Sequence, residues 1–141
     1  MKAAILREVG KPLSIEQVQI GKPGPHEVLI RTAAAGVCHS DLHFIEGLYP
    51  YALPVILGHE SAGVVEQVGS EVRTVRPGDH VITCPSAFCG HCEPCLTGHM
   101  SLCINPETRR DKTDEPRLHK HGEGPNLAPP GLPVLTSMTR S

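Results

Sequence analysis

The chain has 141 residues, a formal charge of −2 and six cysteines, which suits one domain with a core of its own, so metal is not needed merely to offset small size. Acids and bases are interspersed, so no basic stripe marks a nucleic-acid partner and nothing marks an anionic membrane surface. No run approaches the roughly 18–20 apolar residues of a membrane span, and Met1 to Glu8 lacks a signal-peptide run, so the expected compartment is the reducing cytoplasm.

With two Phe, two Tyr and no Trp, the core is expected from Val, Ile, Leu and Ala. Residues 1 to about 83 read as short strands divided by Gly and Pro turns. Val28–Thr32 follows the breaker run Gly21-Lys22-Pro23-Gly24-Pro25 and predicts a strand. Ser40–Glu46 predicts a short helix, capped by Ser40 or Asp41. Ala62–Gly69 is a second strand and His80–Thr83 a third, after the turn Arg76-Pro77-Gly78-Asp79. The expected fold is mainly β, a small, mostly antiparallel barrel or sandwich with few short helices. Residues 84–103 form a cysteine lobe, with Cys84 expected in the core. Residues from about 104 to 141 show neither helical nor strand periodicity and are expected to be mostly loosely ordered, an irregular C-terminal tail.

Cys89, Cys92, Cys95 and Cys103 stand in the order C-x2-C-x2-C-x7-C. Thiolates at that spacing can be turned onto one centre about 2.3 Å from a zinc ion, with Gly90 and Pro94 supplying the loop chemistry. Four thiolates close a tetrahedral shell, so such a site holds structure and leaves no position for chemistry. The alternatives are two disulfides or four unrelated core thiols, and a reducing compartment ranks metal ahead of both.

Cys38-His39-Ser40-Asp41-Leu42-His43 and Gly58-His59-Glu60 form a second group. The Cys38 thiolate and the His59 imidazole suit zinc, and zinc with a vacant or water-filled position is a Lewis acid. Asp41 and Glu60 offer carboxylates, one to orient an imidazole and one to lie near the metal. Ser40 and His43 offer a route for a proton, because an imidazole titrates near neutrality. Taken singly, each residue is more often a buried thiol, a surface imidazole or a helix cap. Their occurrence beside the quartet is what gives them weight.

Together these stretches resemble the GroES-like catalytic domain of zinc-dependent, medium-chain alcohol dehydrogenases. The resemblance rests on Gly36-Val37-Cys38-His39-Ser40-Asp41, on Pro54 to Gly63, on Val75 to Val81 and on the lobe from Cys89 to Cys103. It covers residues 1–120 and leaves 121–141 as a tail outside the family pattern. That family holds its catalytic zinc with two Cys and one His, a property of the family and not a reading of spacing. The resemblance therefore implies that Cys38 and His59 are catalytic zinc ligands, with Glu60 the carboxylate that exchanges with substrate or water. Ser40 and His43 would form the proton relay, Asp41 would orient His59, and His39 would stand against the cofactor pyrophosphate. Cys89, Cys92, Cys95 and Cys103 would hold the structural zinc. In such enzymes zinc polarises an alcohol oxygen and hydride passes to NAD(P), with a small-molecule alcohol or aldehyde as partner and dimers or tetramers common.

The third catalytic ligand of the family lies beyond the matching stretch, and no Cys follows Cys103. Nor does a G-x-G-x-x-G follow a strand; His121-Gly122-Glu123-Gly124-Pro125 is not that fingerprint. The chain is thus expected to be a truncated member, without the nucleotide-binding domain and with little or no turnover. The alternative is a zinc-stabilised structural or binding module without catalysis. A zinc-ribbon nucleic-acid binder is disfavoured by the few bases near the lobe.

Overall fold

The computed structural model describes residues 1–108 and 118–120. In chain order the elements are β1 (Lys2–Ile5), β2 (Ser14–Ile20), β3 (Val28–Ala35), α1 (His39–Glu46), β4 (Ser61–Val68), β5 (His80–Ile82), α2 (Glu93–Leu96), 3-10 turns at Met100–Leu102 and Pro106–Thr108, and β6 (Leu118–Lys120). The fold is mainly β, as expected, with its strands in two three-stranded sheets. The chain divides into two compact units, each described by itself. Residues 121–141, expected as a tail, lie outside the described residues. No helix among the described residues is long and apolar enough to cross a membrane.

The first unit takes Met1–Gly21, Val37–Gly58 and β6. Its sheet has the order β1-β2-β6, antiparallel throughout, with Ala3 opposite Glu16 and Ile20 opposite Leu118. Alternation sends Val18 inward, where it meets Ile5 and Leu118, and Ala3, Ile20 and Ile56 close around them. Leu6 extends the pairing through two bonds with Val55, N–H to O at 2.8 and 3.0 Å. Within the stretch expected to be mostly loosely ordered, β6 is a short strand. Three residues carry no readable period, and this strand is specified by its partner β2 and by the burial of Leu118.

The helix of this unit starts one residue earlier than expected, and neither Ser40 nor Asp41 is its cap. Cys38 has extended backbone angles and its carbonyl accepts the Asp41 N–H at 3.0 Å, which makes Cys38 the N-cap. Asp41, at the third helical position, accepts the Cys38 N–H at 3.4 Å, the reciprocal arm of a capping box. The helix closes at Gly47, where the Leu48 N–H reaches back to the His43 carbonyl at 2.9 Å. Phe44, Tyr49 and Tyr51 gather beside it edge-to-face, with ring centroids 5.5 and 5.6 Å apart. Burial raises the Tyr51 hydroxyl above its ordinary pKa.

The second unit takes Lys22–Gly36 and His59 through the cysteine lobe. β3 and β5 flank β4, both antiparallel to it, so the expected strands at 28–32, 62–69 and 80–83 are all present. The chain turns between β4 and β5 where Asp79 accepts the Arg76 N–H at 3.0 Å. Val28 and Val65 are its most buried aliphatic side chains. At the end of β3 the Gly36 N–H binds the Glu60 carbonyl at 2.6 Å. A side chain at position 36 would collide with the Glu60 carboxyl group, so glycine is required there for close approach.

Candidate metal centres

The lobe brings the four predicted sulfurs together. Cys89 is followed by Gly90 in the left-handed region (φ 79°), which folds the chain back so that the Cys92 N–H reaches the Cys89 sulfur at 3.3 Å. Cys92 then caps the single turn α2, whose second residue is Pro94, a position where the missing N–H costs nothing. That turn presents Cys95 over Cys92, and the 3-10 turn Met100–Leu102 returns the chain with Cys103 at its end.

Among the sulfurs, Cys92–Cys95 is 3.3 Å, Cys92–Cys103 3.8 Å and Cys89–Cys95 3.9 Å, and all four lie within 4.8 Å of one another. A tetrahedron with vertices about 2.3 Å from its centre has edges of about 3.8 Å. All four are free thiols, and the three separations given are far longer than a disulfide bond of about 2.0 Å, which removes the disulfide alternative. The quartet therefore fits a zinc-sized ion with a soft, four-thiolate donor set and no open position.

Their protonation is unequal. Backbone N–H groups of Ile104 and Cys95 aimed at the Cys92 sulfur pull its pKa down to about 6. For Cys89, burial opposes the thiolate, but the N–H groups of His91 and Cys92 outweigh it and the pKa falls. Cys95 is pushed up to about 11 by burial and by its contact with Cys92. Without metal, the lobe thus favours a thiolate on Cys92 and a proton on Cys95.

Cys84 is exposed, against the expectation of a core thiol, and its S–H donates to the Ser86 carbonyl at 3.7 Å. The cause is that β5 ends at Ile82, and Thr83 is held to Ser61 by an N–H to O bond of 2.8 Å. The next side chain has already left the sheet.

The second group is spread over two segments. At the start of α1, the half-buried Cys38 sulfur accepts the Ser40 hydroxyl at 3.2 Å. One helical turn apart, His39 Nδ1 and His43 Nε2 lie 3.2 Å from each other, with His39 exposed. The other ring nitrogen of His43, Nδ1, is enclosed and makes no hydrogen bond, while the ring packs on Tyr49 with centroids 5.0 Å apart. His59 and Glu60 immediately precede β4, His59 half-buried and Glu60 exposed. A thiolate, an imidazole and a carboxylate are a donor set that zinc accepts.

Two residues at the lobe went unnoticed as a pair in the sequence. His91 Nδ1 lies 3.1 Å from the Cys89 carbonyl and its Nε2 lies 3.5 Å from Asn105 Nδ2. Their only signal is position: His91 sits inside the first C-x2-C, and Asn105 two residues after the last Cys.

A mainly β chain with a four-cysteine lobe and a Cys-His-Ser-Asp helix start defines a class of zinc-binding domain. The model of the alcohol dehydrogenase GroES-like domain matches residues 24–121, and the chain belongs to that family. It is 52% identical over 103 residues to geraniol dehydrogenase of Castellaniella defragrans, which covers 73% of this chain and 27% of that protein. Among solved structures, the alcohol dehydrogenase zinc-binding domain protein of Burkholderia ambifaria aligns with a TM-score of 0.77 at 41% identity, over 88% of this chain and 34% of that one. Benzyl alcohol dehydrogenase of Acinetobacter calcoaceticus aligns with a TM-score of 0.72 at 33% identity, over 83% and 33%. The chain thus spans about 27% of the length of the curated relatives it matches.

Proposed function

We propose that residues 1–120 are the metal-binding catalytic part of a zinc-dependent alcohol dehydrogenase. The observation that carries this reading is the sulfur quartet at tetrahedral spacing in a chain of the alcohol dehydrogenase GroES-like family. Cys89, Cys92, Cys95 and Cys103 hold the structural zinc. Cys38 and His59 ligate a catalytic zinc, with Glu60 as the exchanging carboxylate and Asp41 as the group that orients His59. Zinc with an open position acts as a Lewis acid toward an alcohol oxygen. Ser40 Oγ and the His43 ring then carry the proton of that alcohol away, and the contact of His43 Nε2 with His39 Nδ1 at 3.2 Å offers it a next step. His39, exposed at the first turn of α1, faces the pyrophosphate of NAD(P).

Relatives named for geraniol and for benzyl alcohol support a small-molecule alcohol and its aldehyde as the substrate pair. Four reduced thiols held for metal support a reducing, cytoplasmic setting. The 141-residue polypeptide by itself turns over little or not at all, since hydride transfer requires a bound dinucleotide and the chain spans about 27% of its relatives.

Zinc stoichiometry is the test. The expected result is two zinc ions per chain, falling to one on Cys38→Ser or His59→Ala, with NAD-dependent oxidation of benzyl alcohol near background. One zinc per chain, unchanged by either substitution, would replace this reading with the non-catalytic, zinc-stabilised module. Robust turnover by the isolated chain would refute the expectation of inactivity.

A further inference from the structure

We propose that His91 and Asn105 form a clasp across the mouth of the cysteine lobe that sets how long the lobe retains its metal. The inference rests on the reading of the quartet as a zinc site and names positioning residues that act on it without touching the ion.

The clasp is a chain of hydrogen bonds with only one consistent direction. A carbonyl can only accept, so His91 Nδ1, 3.1 Å from the Cys89 carbonyl, carries the ring proton. With the ring proton on Nδ1, Nε2 is left as the acceptor. On the far side, the Glu107 N–H donates to Asn105 Oδ1 at 3.0 Å, which fixes the amide so that Nδ2 faces outward from that bond. Nδ2 can only donate, and it lies 3.5 Å from the His91 Nε2 acceptor. Asn105 is itself anchored, because its carbonyl accepts the Thr108 hydroxyl at 2.8 Å.

The position of this chain gives it its effect. Cys89, Cys92 and Cys95 are fixed by one tight loop and one helical turn, whereas Cys103 arrives after seven intervening residues. Release of the ion needs a sulfur to swing away, and Cys103 is the one joined to the other three by the longest stretch of chain. Two ties flank that cysteine: the Ile104 N–H on the Cys92 sulfur and the Asn105–His91–Cys89 clasp. Groups beyond the ligands that hold them in place commonly govern metal retention. Because His91 is exposed, water competes for its bonds and the Asn105 contact is long at 3.5 Å, the effect is modest: loss of that one bond accelerates release about twofold.

The experiment follows metal release from the full 141-residue chain into a chromogenic chelator, with cobalt spectra of each variant reporting a tetrahedral thiolate site. Asn105→Ala is expected to release zinc about twofold faster, and His91→Ala, which removes both bonds of the clasp, about fivefold faster, each while keeping the cobalt spectrum. His91→Asn sets an amide nitrogen where Nδ1 stood and nothing at Nε2, so it should match Asn105→Ala. Combined with Asn105→Ala it should add no further acceleration, because both remove the same bond. Wild-type release from His91→Ala, or additive effects in the double variant, would overturn the clasp while leaving the zinc site standing. Absence of a four-thiolate cobalt spectrum in the unsubstituted chain would overturn the zinc site, and the clasp with it.

Discussion

The cysteine lobe and the start of α1 carry the same kind of residue in opposite ways. The lobe draws all its ligands from fifteen consecutive residues, Cys89 to Cys103, and closes them by backbone turns alone. Cys38 caps one short helix that carries Ser40 and His43, while His59 and Glu60 precede β4, with 20 residues between Cys38 and His59. A ligand set encoded by spacing is specified before the rest of the chain folds. The set proposed at Cys38, His59 and Glu60 comes from separate segments and would exist only once the tertiary structure does. The first is suited to holding a fold together, the second to chemistry that needs an open position.

The sharpest way to break this contrast is to remove a lobe sulfur. Cys103→Ser is expected to abolish the lobe's metal and to lower the melting temperature by about 10 °C or more, since structural zinc contributes folding free energy directly. Cys38→Ser should cost one zinc and leave melting within about 2 °C. Calorimetry with metal analysis on both variants decides it; equal losses of stability would erase the distinction between the two regions.

Acid should separate them next. At neutral pH zinc entering the lobe must displace the Cys95 proton, because that thiol is pushed up to about 11. Cys92, pulled down to about 6, is already a thiolate there and gives up no proton. The apparent affinity therefore rises with pH, by at least about tenfold per unit, since at least the Cys95 proton is displaced. As pH falls below about 6 the Cys92 proton must be displaced too, and the slope steepens. Chelator competition between pH 5.5 and 8.5, at about half-unit steps, reads this directly; an affinity independent of pH would contradict the protonation assigned to the lobe.

The same contrast decides how much was legible in the sequence. Cys89 to Cys103 could be read from spacing because a zinc tetrahedron is about 3.8 Å on an edge and short loops span that distance. Strands β3, β4 and β5 could be read because breakers bound each run and Val, Ile and Leu fill it. β1 and β2 were less distinct, since Ile15 faces solvent and Glu16 points inward to meet Arg7 at 2.6 Å, which blurs the alternation. Cys84 misled because a thiol beside a strand is ordinarily buried, and only the point where β5 stops decides otherwise. His91 and Asn105 gave no pattern at all: their bond joins residues 14 positions apart, and nothing local requires it.

Leu118 tests the part that composition hid. It is 4% exposed in a stretch dominated by charge and proline, and it completes the cluster with Ile5 and Val18. Leu118→Ala is expected to destabilise the first unit by about 2–4 kcal/mol, read as a shift in the urea midpoint. Ile15→Ala, at a side chain 67% exposed on the same sheet, should change it by about 0.5 kcal/mol or less. Comparable shifts would mean that β6 does not contribute to the core.

The smallest effect lies at Asp41, whose carboxylate bonds at the helix start and is proposed to orient His59. As the reciprocal arm of the capping box it accepts the Cys38 N–H, and a bond of 3.4 Å is long, so its loss is worth about 0.5 kcal/mol. Asp41→Asn keeps an acceptor oxygen at that position and should leave stability unchanged, whereas Asp41→Ala should show the small loss. Orientation of His59 depends on charge, because a carboxylate holds an imidazole proton more strongly than a neutral amide does. The two substitutions therefore separate the roles: if Asp41 serves only the helix, Asn restores zinc content together with stability. If it also orients His59, both variants bind the second zinc more weakly, by about tenfold, although only Ala lowers the melting temperature.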